Sequence, residues 1–386
     1  SESDFNAKYR MTSILAGLAY RYLAWSAPSR CPFPSANGQL PKQTPPISFP
    51  IYVYSHRGGN LETNAAGHRF VENTLPAFRN SVALGVDLLE LDVQLTRDGQ
   101  AAVFHDRELG RLCGPGFKGK RIADFSYKDL PRLGCAHSSQ GSLKPLVHQH
   151  NSDEDDLRIP LLREVFEAHP SIPIQIDLKV PSQQLVNVVN DLVREYRRER
   201  LVLWGSFIHT TSNALYAANP SIPLFTSAPR AFLLLAAHSA GRLKDVHIYE
   251  SAMIIPWRFG YASEGAWWRP SLLLPDFFRE LHSRGVSVVL FGGINDEATF
   301  EACTAAGAAA LCTDHPSRLL RWMAAAARGA PGAAAAGGGG AAAGGAATIP
   351  TAAEAPGAVA TPLAGTVLPT AVPVAAGGAA AATHAG

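Results

Sequence analysis

A chain of 386 residues, 47% hydrophobic and with a net charge of +2, is long enough for one large domain or two ordinary ones, and its charge balance points away from nucleic acid and other polyanions. Its five cysteines (Cys31, Cys113, Cys135, Cys303 and Cys312) include no CxxC pair, so neither a zinc site nor a disulfide framework organises the chain, and a reducing compartment is expected. No uninterrupted apolar run reaches the length of a classical spanning helix, and no charged-then-apolar signal sequence opens the chain.

In chain order, residues 1–45 read as a lead-in. Met11–Trp25 has helical character, with Arg10 and Arg21 flanking it, and two placements stay open: packed on the body, or lying on a membrane surface. The expected location is intracellular, in the cytoplasm or on the cytoplasmic face of a membrane. An anchor upstream of Ser1 stays open. Pro41–Pro50 breaks any helix. Residues 46–328 form the body. Strands are predicted over Ile51–Tyr54, Leu88–Leu95, Ala101–Phe104, Ile174–Leu178, Leu201–Trp204, Ile222–Thr226, Ala252–Ile255, Val286–Phe291 and Ala309–Cys312. Helices are predicted over Leu75–Leu84, Leu162–His169, Gln183–Arg200, Leu273–Arg284 and Asp296–Ala306. Residues 329–386 are Ala, Gly, Pro and Thr with the single acid Glu354, a composition read as a disordered tail.

Strand–helix alternation over the body predicts an α/β fold, a (β/α)₈ TIM barrel. The rival, a doubly wound open sheet, lacks its Gly-rich phosphate turn here. Nine strand segments are one too many for the barrel. Asp98-Gly99 resolves the excess, because this dipeptide is a strong hairpin turn signal. A two-residue turn there pairs Val93 with Phe104 and sets His105 opposite Asp92. Ala101–Phe104 is then a returning antiparallel arm, and eight strands remain.

The chemistry concentrates at strand ends. Glu90 and Asp92 share one face of their strand, and two adjacent acids repel unless something positive lies between them. That something is either a metal or a neighbouring Arg or Lys. The first barrel strand runs into Ser55-His56-Arg57-Gly58-Gly59, and the third ends in Asp177-Leu178-Lys179. Catalytic residues of barrels sit at these C-terminal strand ends. Oxygen ligands without thiolates favour Mg²⁺, Ca²⁺ or Mn²⁺. Arg57 and Lys179 suit a phosphate, and two histidines divide general acid and general base work. Together these residues describe phosphodiester cleavage.

The stretches "HRGG…VENTLPAF", "LGVDLLELDVQLTRDGQAAVFHD", "IDLK" and "AALCTDHP" resemble the glycerophosphodiester phosphodiesterase family, in order and spacing from about residue 51 to 322. "RIPLLREVFEAHPSIPIQIDLKV", "REYRRERLVLWGS" and "SIPLFTSAPRAFLLL" are most similar to its eukaryotic, membrane-associated lysophospholipase D branch. The resemblance implies a barrel of the phospholipase C-like phosphodiesterase type. It implies His56 and His105 as the acid–base pair, and Glu90, Asp92 and Asp177 as ligands of one divalent cation. It places Arg57, Glu72 and Lys179 on the phosphate and glycerol end, and Asp314 as structural support at the rim. The hairpin register allows His105 to touch the metal as well. Relatives often carry Glu where Asp177 stands, and a Trp near the place held here by Phe291 and Gly292.

Three functions are open at this point. The enzyme hydrolyses soluble glycerophosphodiesters, or it hydrolyses lysophospholipids at a membrane, or the barrel is an inactive lipid-binding or scaffold protein. Loss of a metal ligand or proton-transfer residue would mark the third, and none of the five is lost. Exposure of Phe232, Leu234 and Leu235 discriminates between the first two.

Overall fold

The computed structural model describes residues 41–65, 67–137, 143–145, 157–259 and 270–328. The expectations for Met11–Trp25 and for the tail 329–386 lie outside these residues. The chain divides into two units, Ser1–Ile349 and Pro350–Gly386, and all described residues belong to the first.

Seven strands form one parallel sheet: β1 (Val53–Ser55), β2 (Leu88–Leu95), β6 (Ile174–Leu178), β7 (Val202–Gly205), β8 (Ala252–Pro256), β9 (Ser287–Phe291) and β10 (Ala310–Thr313), in spatial order β7-β6-β2-β1-β10-β9-β8. The predicted strand Ile222–Thr226 supplies the eighth position through single parallel bridges, Trp204 to Leu224 and Phe225 to Ala252. Pro223 has no N–H for a ladder, but its carbonyl accepts from Trp204 N at 3.0 Å. The ring closes and the doubly wound alternative falls. Outside it, β3 (Ala101–Val103) pairs antiparallel with β2, and β4 (Cys135–His137) pairs with β5 (Leu143–Pro145).

The outer layer comprises α1 (Leu75–Leu84), α2 (Leu162–Ala168), α3 (Gln183–Glu195), α4 (His209–Ala218), α5 (Ala228–Ser239), α6 (Pro275–Ser283), α7 (Glu297–Ala305) and α8 (Pro316–Ala327). Local chemistry sets the boundaries. In α1 the Thr74 hydroxyl accepts from Ala77 N, Pro76 fits the first turn, and Gly85 ends the helix at φ 84°. The predicted Gln183–Arg200 helix stops at Glu195 because Arg197 turns left-handed, with φ 53°. Arg198 then folds inward, where its guanidinium donates to the carbonyls of His169 and Pro170. Helices α4, α5 and α8 were not among the predicted helices. α4 opens on polar residues, and α8 begins at the rim with His315-Pro316.

Side chains fill the barrel centre: Tyr54, Leu88, Leu203, Phe225, Ala252, Ile254, Val289, Ala310 and Cys312. Gly205 leaves the space that Phe225 occupies, since a Cβ there would lie 2.5 Å from its ring. Ile47, Phe49 and Ile51 seal this core from the side where the strands begin, and Phe207 and Phe291 pack on it from the other. Residues read as lead-in take part in the body. Buried Thr44 donates its N–H to Tyr249 O at 2.8 Å and pairs its hydroxyl with Ser251 Oγ.

The hairpin corrects one expectation. Val93 pairs with Val103, not Phe104, and Leu95 pairs with Ala101. The loop holds three residues, Arg97 to Gly99, closed by Thr96 N donating to Gln100 O at 2.9 Å, with Gly99 at φ 80°. A three-residue loop with a left-handed glycine is the next commonest hairpin after the two-residue type. Phe104, not His105, therefore lies opposite Asp92, with Phe104 N donating to Asp92 O at 2.9 Å. A one-residue slip turns every side chain to the other face. His105 reaches the rim from beyond the end of the ladder.

Candidate active site

Strands β2 and β6 run parallel with Glu90 beside Gln175 and Asp92 beside Asp177. Leu89, Leu91 and Val93 face the outer core, so the acids face the barrel axis. All three acids are buried. Arg57 and Lys179 neutralise part of their charge. Lys179 Nζ lies 2.8 Å from Asp92 Oδ1 and also bonds Asp177 Oδ2. Arg57 stands in a tight turn after β1 at φ 51°, which aims its backbone N–H at Glu90 Oε2, 2.9 Å away. Its Nε lies 3.4 Å from Asp92 Oδ2, and Asn73 Nδ2 donates to the same oxygen at 2.9 Å.

These contacts divide the acids. Burial opposes charge on Asp92, but Lys179 and Arg57 overcome it and hold the carboxyl well below the usual range. Burial and the neighbouring Asp92 push Glu90 up to about 7. Burial also raises Asp177 against the pull of Lys179. Asp177 Oδ1 is buried without a hydrogen-bond partner.

Each histidine is held by its own aspartate. His56 Nδ1 lies 2.6 Å from Asp314 Oδ1. Asn295 fixes that carboxylate, donating Nδ2 to Asp314 Oδ2 at 3.0 Å and accepting Asp314 N at 2.9 Å. Burial works against a charged His56, but Asp314 outweighs it and raises the imidazole's pKa. Asp314 is held down to about 2, its burial outweighed by His56 and the hydrogen bonds. His105 Nδ1 lies 2.8 Å from Asp106 Oδ1, and Arg111 bonds both oxygens of Asp106. In both histidines Nε2 is left for the cavity they line.

Glu72 departs from its expected place beside phosphate and glycerol. It is 3% exposed, does not line the cavity, and accepts from Arg57 at 3.0 Å and from Arg111 at 2.6 and 3.0 Å. Burial opposes its charge, but the two guanidinium groups hold it down to about 2. Among the described residues, Glu72, His105 and Asp106 form a cluster with ligand atoms within 4.8 Å of one another. Arg111 already occupies both carboxylates, so a cation there would displace a guanidinium. Lys179 likewise occupies Asp92 and Asp177, while Asp177 Oδ1 stays buried without a hydrogen-bond partner.

The cavity above these groups measures about 760 Å³. One side is charged: His56, Arg57, Glu90, Asp92, His105, Asp177 and Lys179. The other carries Ala231, Phe232 and Leu235 of α5, Met253 and Ile255 of β8, and Phe259. Phe232 is 42% exposed, Leu235 half-buried and Leu234 fully buried, so the predicted apolar patch splits between cavity and core. Phe291 stands beside Gly292, the place where relatives were expected to carry Trp. It lines the cavity with Phe207, ring centroids 5.9 Å apart, and Lys179 Nζ sits 5.9 Å from the Phe207 ring centroid.

An eight-position α/β barrel with two aspartate-held histidines, buried acids and basic clamps at its strand ends defines a barrel hydrolase with acid–base chemistry. Residues 56–318 match the glycerophosphoryl diester phosphodiesterase family. Lysophospholipase D GDPD1 of Homo sapiens is 34% identical over 279 residues, covering 69% of this chain and 83% of the relative. Lysophospholipase D GDPD3 of Homo sapiens is 30% identical over 294 residues, covering 72% and 86%. The fold is shared with a glycerophosphoryl diester phosphodiesterase domain from Mycobacterium tuberculosis, at TM-score 0.55 and 19% identity over 72% of this chain and all of that one. It is shared too with a phosphodiesterase of Oleispira antarctica in complex with the product sn-glycerol-3-phosphate, at TM-score 0.51 and 20% identity over 72% and 97%. The chain belongs to the glycerophosphoryl diester phosphodiesterase family.

Proposed function

We propose that this protein is a metal-dependent lysophospholipase D, cleaving a lysophospholipid into lysophosphatidic acid and its head-group alcohol. The observation that carries the substrate is the divided cavity. A phosphodiester fits the charged side, and a single acyl chain fits the apolar wall that a soluble glycerophosphodiester would leave uncovered. The exposed rings of Phe232 and Phe259, 42% and 37% accessible, both line this cavity and so stand at its mouth, where a lipid surface would meet them. This reading puts the enzyme in peripheral contact with a membrane. Among the described residues, no helix is long and apolar enough to cross one.

The residues fit a divalent cation. Asp177 Oδ1 is orphaned, Glu90 and Asp92 are buried carboxylates on one face of β2, and the donors are all oxygen. Glu90, Asp92 and Asp177 would hold Mg²⁺, Ca²⁺ or Mn²⁺, which would supply Lewis-acid stabilisation of charge on the phosphate oxygens. Arg57 and Lys179 bind the phosphate and orient it. His105 Nε2 takes the proton of the attacking hydroxyl as its oxygen bonds phosphorus; attack by water gives lysophosphatidic acid directly, and attack by the neighbouring glycerol hydroxyl gives a cyclic phosphate that water then opens. The phosphorus–oxygen bond to the head group breaks, and His56 Nε2 donates its proton to the departing alcohol. His56 suits the acid role because Asp314 raises its proton affinity.

The test is hydrolysis of lysophosphatidylcholine and glycerophosphocholine side by side, with Mg²⁺, Ca²⁺ or a chelator, and with His56→Ala as control. Metal-dependent choline release mainly from the lysolipid supports the reading. Release mainly from glycerophosphocholine makes the protein a soluble-metabolite enzyme. Release from neither, by folded protein, defeats the catalytic reading.

A further inference from the structure

Gln175 lies on β6 two residues before Asp177, so the two side chains share the face that looks into the barrel. The β2–β6 register places it beside Glu90, as it places Asp177 beside Asp92. Glu90, Asp92, Gln175 and Asp177 thus form a square of side chains, and all four line the cavity. Gln175 is 3% exposed, and its Oε1 is buried without a hydrogen-bond partner. Asp177 Oδ1 is orphaned in the same way. The neighbouring donors are directed elsewhere: Arg57 N to Glu90, Asn73 to Asp92, and Lys179 to Asp92 and Asp177. A buried carbonyl oxygen without a donor is unfavourable, and a cation relieves it as well as a hydrogen bond does.

We propose that Gln175 is a fourth protein ligand of the cation, a neutral carbonyl donor beside Glu90, Asp92 and Asp177, and that it biases the site toward Ca²⁺ over Mg²⁺. The inference rests on the metal-dependent reading above. Ca²⁺ accepts six to eight oxygens, amide carbonyls among them, in flexible geometry, whereas Mg²⁺ demands an octahedron and usually keeps several waters with one or two carboxylates. Four protein oxygens on adjacent strands leave less room for retained water, which suits the larger ion.

The test is calorimetric titration of the full chain, stripped with a chelator, with CaCl₂ and with MgCl₂ in the absence of substrate. Wild-type protein is expected to bind Ca²⁺ more tightly than Mg²⁺. Gln175→Leu is expected to weaken Ca²⁺ by about tenfold or more, the scale of losing a supporting group at a metal site, and to change Mg²⁺ by less than about threefold. Gln175→Glu keeps an oxygen and is expected to hold Ca²⁺ at least as tightly as wild type. Thermal unfolding in chelator establishes that each variant folds, and Gln175→Asn, which withdraws the carbonyl by one methylene, carries the test if the Leu variant does not fold. Unchanged Ca²⁺ affinity in the folded Leu or Asn variant overturns the proposal, and a raised KM for glycerophosphocholine would then assign Gln175 to substrate. Equal losses for both ions overturn the selectivity. Wild-type protein that takes up neither ion overturns the metal reading itself and the inference with it.

Discussion

The two sides of the cavity are built on opposite principles. On the β1, β2 and β6 side, almost every side chain is fixed by a partner of opposite charge: His56 by Asp314, His105 by Asp106, Asp92 by Lys179, and Glu72 by two arginines. On the α5 and β8 side, the cavity-facing residues are apolar, and the buried ion pair of Arg230 with Glu250 is turned away from the cavity. Charge needs placement, because a displaced charge in a low-dielectric site loses both its partner and its solvation. Apolar contact needs only area and shape. The charged side is therefore expected to be intolerant of substitution in turnover, and the apolar side graded and selective for substrate.

The largest effect that sharpens this contrast is on the charged side. His56→Ala or His105→Ala is expected to lower kcat about 10²–10⁴-fold on both lysophosphatidylcholine and glycerophosphocholine, as measured in steady state. On the apolar side, Arg230→Met leaves Glu250 buried without its partner. It is expected to cost about 3–5 kcal/mol of stability in urea unfolding, with kcat of the remaining folded enzyme near wild type. A large loss of kcat there would break the contrast. Ala231→Trp intrudes on the apolar wall. It is expected to lower kcat/KM for lysophosphatidylcholine about 10–100-fold, the value of one buried apolar side chain, and to affect glycerophosphocholine much less.

The smallest effect concerns pH. Asp314→Asn removes the main group that raises His56, so burial and Arg57 outweigh Glu90 and the imidazole's pKa falls. The alkaline limb of the rate profile, where protonated His56 is lost, is expected to move to lower pH. Asp314 itself is held at about 2, below its ordinary 3.8. Its contribution to stability is present in full above the unfolded value and is lost as pH falls toward 2. The stability difference between wild type and Asp314→Asn should therefore shrink on acidification between about pH 4 and pH 2.

The sequence made the charged side legible because its residues repeat at short range. Glu90 and Asp92 share a face by strand periodicity, and Asp177 and Lys179 do the same at the neighbouring β6. The hairpin register was not legible. Asp98-Gly99 reads equally as a two-residue turn or as the end of a three-residue loop, and only the pairing of Thr96 with Gln100 decides. The partners across the ring were also out of reach. Asp314 was read as rim support, yet it holds His56 from 258 residues away. Gln175, Asn295 and Phe207 carry no motif, since a lone amide or aromatic at a strand end has no signature until its neighbours are known. Glu72 was seen but misplaced, because a carboxylate near a phosphate site and one that holds two arginines look alike in a string of letters.

Glu72 also ties together two distant parts of the chain. Arg57 follows His56 directly, and Arg111 grips Asp106, which follows His105. The buried carboxylate thus acts as a yoke between the segment that carries one imidazole and the segment that carries the other. The spacing between the two imidazoles becomes a property of one linkage, so a jolt to either arm is shared by both. Cutting the yoke would leave each histidine with its own aspartate and take away only their synchrony.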